Sequence, residues 1–217
     1  LYLKYKKIQL IDNQNINKMK KIILSIITLT VIVFGFTNLT YAAPINSTFV
    51  TTLTDISNIN KIEVYGNVEL YISDASADQV KVYNQYYSES ALVQSKNGVL
   101  RISSYSPEKL VVWVSANDLR SISAYDNAEV KSFGNISKIE FNVDLHNNAT
   151  AKLNLDAFSA NVTVADHAKA DLSGSANEFT LNHNVGTSVN AYNFTAEHFT
   201  DNKINFPAET KEDMAGI

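Results

Sequence analysis

From about residue 60 onward, polar and apolar residues alternate with a period of two over long stretches. Lys61-Ile62-Glu63-Val64-Tyr65 alternates, Gly66-Asn67 interrupts, and Val68-Glu69-Leu70-Tyr71-Ile72 resumes. Side chains of a strand point to opposite faces in turn, so this segment predicts strand, tight turn, strand. Val80-Lys81-Val82-Tyr83 predicts a further strand. Lys96-Asn97-Gly98 predicts a hairpin-type turn, because Asn and Gly tolerate positive φ, and it leads into Val99-Leu100-Arg101-Ile102. The run Leu110-Val111-Val112-Trp113-Val114 is apolar throughout, as in a strand covered on both faces. Helical periodicity is missing from residue 43 onward, with Ser115–Leu119 at most a turn.

The second half repeats. Its units are Ser121–Phe133, Phe141–Leu155, Ala160–Gly174 and Thr180–Phe194, each an alternating strand, a small polar corner and another alternating strand. The corner alanines Ala128, Ala149 and Ala168 are spaced 21 and 19 apart, and Thr187 follows after another 19. Such a period is the mark of stacked supersecondary units, each too small to bury its own apolar face. The expected fold is therefore all-β, a parallel β-helix-like solenoid with coils of about 20 residues. Its predicted core is Ile122, Ala124, Val130, Phe141, Val143, Leu145, Leu153, Leu155, Val162, Val164, Leu172, Phe179 and Leu181. Asp126-Asn127, Asn147-Asn148 and Asp166-His167 occupy equivalent corners, where Asx side chains turn the chain by accepting left-handed φ.

Ahead of this region lies a different signal. Met19 is followed by Lys20 and Lys21, an apolar run from Ile22 to Phe36, and the small-residue site Thr40-Tyr41-Ala42. That is the three-part pattern of a secretory signal. The run falls short of the roughly 20 residues that a spanning helix needs. The expected organisation is a mis-called N-terminal extension (1–18), a signal peptide (19–42) cut after Ala42, a β domain (43–206) and a flexible tail (207–217). No transmembrane segment would remain after cleavage, and the expected location is the periplasm, cell surface or exterior.

Composition narrows the function. The chain has no cysteine, which removes disulfides, thiolate metal sites and cysteine nucleophiles. Losing residues 1–42 takes six lysines and Asp12, leaving 12 basic against 21 acidic residues, a formal charge of −9. With only Arg101 and Arg120 as arginines, such a domain is unsuited to nucleic acid or anionic lipid.

Several residues still invite chemistry. His146 and His167 lie near stacked corners beside Asp144 and Asp166, but no HxH or HExxH spacing accompanies them or His183 and His198. Asp126, Asp144, Asp166 and Asp171 are oxygen ligands without a glycine-rich calcium repeat. Arg120 beside Asp118 suggests a polysaccharide lyase or hydrolase on a β-helix, yet a domain at −9 repels a polyanionic substrate. Tyr83, Tyr86, Tyr87, Tyr105 and Trp113 form an aromatic group able to grip a sugar or a protein, or to fill space between strands. On balance neither a catalytic set, a metal site nor a cofactor site is assigned.

Residues along the whole β region resemble the head GIN domain, an adhesin-type family common among secreted bacterial proteins. The resemblance is carried by Ile62–Leu70, Gly98–Ile102, Val112–Ala124 and Leu172-Ser173-Gly174-Ser175-Ala176, within a span from Phe49 to Phe206. Tyr125-Asp126-Asn127-Ala128 departs from it, since the family tends to have Ser-Gly-Ser-Ala there. The resemblance implies a right-handed parallel β-helix at the cell envelope, and it brings no catalytic residues. The expectation is a non-catalytic binding or adhesion protein whose partner is an envelope protein or glycan, with a carbohydrate-active enzyme on the same scaffold as the alternative.

Overall fold

A computed structural model describes residues 50–53, 56–83 and 91–204. The expected leader and tail, with Tyr86 and Tyr87, lie outside these residues. The alternating segments become thirteen strands, and no helix occurs among the described residues. They are β1 (Val50–Leu53), β2 (Lys61–Gly66), β3 (Val68–Asp74), β4 (Gln79–Tyr83), β5 (Ala91–Lys96), β6 (Val99–Ser104), β7 (Leu110–Ala116), β8 (Ser121–Ala124), β9 (Glu129–Ser132), β10 (Ile136–Leu145), β11 (Thr150–Val164), β12 (Lys169–His183) and β13 (Ser188–Lys203). The class is all-β, as expected, and the strands join one sheet that is open at its ends.

Parallel register organises that sheet. On one face β6, β2, β8 and the C-terminal parts of β10, β11 and β12 pair in that order. Their inward residues form a column: Leu100, Ile62, Ile122, Val143, Val162 and Leu181. After the corner, β7, β3, β9 and the N-terminal parts of β11, β12 and β13 pair likewise, with the column Val112, Leu70, Val130, Ala151, Ala170 and Val189. Both columns feed one apolar core, and all thirteen core residues expected from the pattern are buried in it. Burying each larger aliphatic side chain contributes about 1.5–3 kcal/mol.

The first half does not stack in chain order. The β6–β7 layer lies outermost, and β2–β3 sits between it and β8–β9. Only from β8 onward does each layer rest on its immediate predecessor. The Gly66-Asn67 turn is a corner and not a hairpin, because β2 and β3 each pair with other strands. Gly66 has φ +79°, and a Cβ there would sit 2.2 Å from the Ser104 carbonyl oxygen. The Lys96-Asn97-Gly98 hairpin forms as its residue types predict: Asn97 and Gly98 both have positive φ, and β5 runs antiparallel on β6. With β4 antiparallel on β7 and β1 on β4, three antiparallel strands close this end of the sheet. Leu110–Ala116 is covered on one face and only half-buried on the other, where Val111 and Trp113 point.

At the other end the core columns change character. Leu181 is followed by Asp201, and Val164 by His183 and then Lys203. Phe179 is followed by Phe199, which is 57% exposed, but charged groups occupy the last two inward positions of β13 on this face, and His183 Nε2 lies 3.0 Å from Asp201. Inward charges of this kind stop further strands from adding.

Candidate functional site

The repeated corners are built from backbone strain and its relief. Asp126, Asn147 and Asp166 sit at φ 59°, 56° and 58°, the left-handed region that Asx residues tolerate. The side chains of Asn147 and Asp166 also serve the layer before them. The Asp126 N–H donates to Asn147 Oδ1 (3.1 Å), and the Asn147 N–H donates to Asp166 Oδ2 (2.9 Å). Asn184 ends the series, its side-chain oxygen accepting from the Asp166 N–H at 3.1 Å and its amide donating to the Asp166 carbonyl at 3.3 Å. Ala128, Ala149 and Ala168 are fully buried, and their carbonyls accept from Thr150, Lys169 and Ser188 in the next layer. The three alanines therefore line up.

Beside the corners runs an aromatic stack. Tyr65 lies on Tyr125 (centroids 4.7 Å apart, planes at 4°), and Tyr125 lies on His146 (4.9 Å, 7°). Burial, with the Glu63 carboxylate adding to it, pushes the Tyr65 phenol up to about 12. Burial also pushes Glu63 upward, but hydrogen bonds from Arg101 and Lys61 outweigh it and hold that carboxyl below its ordinary range. Tyr125 is the middle ring of this stack.

A second aromatic group occupies the outward side of β3, β7 and β9. Trp113 stacks on Tyr71 (4.7 Å, 20°), meets Phe133 at 5.2 Å and Tyr83 at 6.4 Å. Phe133 is 62% exposed. Alongside, Lys131 bridges Glu69 and Glu129, Lys109 also binds Glu129, and the Tyr71 hydroxyl donates to Glu69 at 2.9 Å. The Lys131 ammonium holds the Glu69 carboxyl below its ordinary range, and Lys109 does the same for Glu129. The result is a rigid amphipathic patch with its aromatic and charged parts already oriented.

The residues singled out from sequence scatter. Trp113 and Tyr83 meet here, whereas Tyr105 lies at a corner and donates to Asp126 (3.0 Å). His146 is in the stack, His167 and His198 are exposed on separate strands and corners, and His183 faces Asp201. Asp144 faces outward on β10, Asp166 serves its corner, and Asp171 holds Asn190 at 2.9 Å. Arg120 and Asp118 form an exposed pair of their own (2.6 Å). Among the described residues no three His, Cys, Asp or Glu side chains converge as a metal-binding group. Tyr71, Phe133, Lys131 and Glu69 were not legible as a site. Their meeting depends on β3 pairing with β7 and β9, strands far apart in sequence.

Comparison with known proteins fits this geometry. A family model described as "Putative auto-transporter adhesin, head GIN domain" matches residues 58–203. The chain belongs to this family. As a head GIN domain it is also similar in fold to three crystal structures, each described as a "putative adhesin". That from Bacteroides fragilis has a TM-score of 0.63 at 15% identity, covering 70% of this chain and 75% of the other. That from Parabacteroides merdae scores 0.58 at 12% identity, covering 70% and 76%. That from Parabacteroides distasonis scores 0.54 at 14% identity, covering 70% and 77%. No curated protein matches the chain.

Proposed function

We propose that this head GIN domain is exported and works at the cell envelope as a non-catalytic, adhesion-type binding module. In this reading the domain is a right-handed parallel β-solenoid with rungs of about 20 residues, begun by antiparallel strands and ended by inward charges. Support comes from the family, whose description names adhesion, and from the parallel register of β8 to β13. The observation that carries the binding role is the Tyr71–Trp113–Phe133 group beside Glu69, Lys131 and Glu129. Pre-oriented aromatic side chains with ordered charges at their margin are the composition of a binding hot spot. Trp113 and Tyr71 use ring faces against each other, so a partner meets ring edges and the more open Phe133.

The partner is an envelope protein or a glycan. The test is binding of the purified protein to envelope preparations and to a glycan array, with and without calcium, alongside Phe133→Ser. The expected result is saturable binding that Phe133→Ser weakens at least about tenfold while the circular dichroism is unchanged. Release of product from any arrayed glycan would overturn the proposal in favour of a carbohydrate-active enzyme. Binding that ignores Phe133→Ser would move the site elsewhere.

A further inference from the structure

The two ends of the sheet are treated differently. One end is closed by the antiparallel strands β5, β4 and β1. At the other, β13 pairs with β12 alone, and no described strand covers its second edge. An open edge of this length is a template for another strand unless something blocks it.

Half of β13 is blocked and half is not. From Glu197 to Lys203 the strand carries Glu197, Asp201 and Lys203, the last two in core columns that flank the exposed Phe199 on its C-terminal side. From Ser188 to Ala196 it carries no charge and no proline. Within that half Val189, Ala191, Phe194 and Ala196 pack on the core while remaining only partly covered. A bulge explains their spacing. Asp171 opposes Asn190 but Ser173 opposes Asn193, so β13 holds one extra residue around Tyr192. Without it the inward positions would run 189, 191, 193, 195. With it they run 189, 191, then 194, 196.

That shift makes the segment self-complementary. In an antiparallel pair, residues directly opposite share a face. A two-fold axis between Tyr192 and Asn193 sets Val189 opposite Ala196 of a second copy and Ala191 opposite Phe194. Outward Asn190 then meets Thr195. Every half-covered apolar side chain finds an apolar partner, and no charge opposes another charge. We infer that the uncharged half of the β13 edge joins a second copy of this chain, head to head, as an isologous antiparallel pair centred on the bulge. The apolar cores of the two copies abut there, and the inward charges at Asp201 and Lys203 confine the contact to this half.

The test is sedimentation velocity on the exported protein, its Val189→Lys/Ala196→Lys variant and its Val189→Lys/Ala196→Glu variant. The three proteins differ at the two substituted positions alone, so the rest of the chain cannot create a difference among them. The proposal expects the unaltered protein at twice the chain mass. The double-lysine variant, with Lys opposite Lys at two places, dissociates at least about tenfold more readily. The Lys/Glu variant, with opposite charges across the same two places, recovers the dimer. An unaltered protein that sediments as a monomer at about 100 μM overturns the proposal. So does a Lys/Glu variant that dissociates as readily as the double-lysine one. Should the double-lysine variant unfold by circular dichroism, the comparison of the other two still decides.

Discussion

Replacing Asn147 separates the two forces that hold a corner. Asn147 has φ 56°, accepts the Asp126 N–H at 3.1 Å, and donates its own N–H to Asp166 at 2.9 Å. Asn147→Ala removes the acceptor, which strands a partly buried N–H at a cost of about 1–2 kcal/mol. It also leaves a Cβ residue without Asx compensation in the left-handed region, at about 1–2 kcal/mol. The sum is about 2–4 kcal/mol. Asn147→Gly loses the same hydrogen bond but none of the conformational ease, so it costs only about 1–2 kcal/mol. Asn148→Ala is the control: its side chain is exposed, and the change stays within about 0.5 kcal/mol. Urea unfolding followed by the fluorescence of Trp113, the single tryptophan, measures all three. Equal destabilisation by Ala and Gly would remove the strain argument. An unchanged midpoint for both would remove the ladder as well.

The same reasoning extends to other positions. Gly174→Ala fails to fold or loses more than about 4 kcal/mol, since φ is +107° and a Cβ would lie 1.9 Å from the Leu155 carbonyl oxygen. Gly134→Ala costs only about 1–2 kcal/mol, because nothing lies within 4 Å of its Cβ position, and the two are compared by urea midpoint. Glu63, Glu69 and Glu129 have depressed folded-state pKa values, so their contribution is complete above the ordinary value of 4.5 and drains away as pH falls below it. Melting temperature recorded against pH should therefore drop through this range, and less steeply in Glu69→Gln. Asn148→Pro removes the N–H that donates to the Asp126 carbonyl at 2.9 Å and should lower stability by about 3 kcal/mol, more than Asn202→Pro on the edge strand. N-terminal sequencing of exported protein should begin at Ala43; a start at or before Met19 contradicts the signal reading.

Legibility in the sequence followed the locality of the information. Ile122, Val143, Val162 and Leu181 were readable as one core column because β8 to β12 stack in chain order at a nearly constant spacing. The corners were readable because Asp126, Asn147 and Asp166 recur with that spacing and their conformation selects Asx. The order of the first half was not. Glu63 meets Arg101 (2.7 Å), and Tyr71 meets Trp113, only because β6–β7 lies outside β2–β3. Nothing in the alternation of either segment specifies which neighbour it chooses, since every strand there presents the same apolar-in, polar-out pattern. The aromatic patch inherits this opacity: Trp113 and Tyr83 were noticed, while Tyr71 and Phe133 became part of it through pairing alone. The closing charges were equally hidden, because Asp201 and Lys203 read as ordinary surface residues until register places them in core columns.

The account rests on in-register layers from β9 to β13, and disulfide trapping addresses it directly in a chain with no native cysteine. Glu129/Thr150, Thr150/Lys169 and Lys169/Ser188 are directly opposed pairs in parallel strands. Neighbouring strands lie about 4.8 Å apart, within disulfide reach. Each double-cysteine variant should oxidise to an intramolecular disulfide while keeping its β-type circular dichroism. Failure of all three to close in folded protein would contradict the stacking.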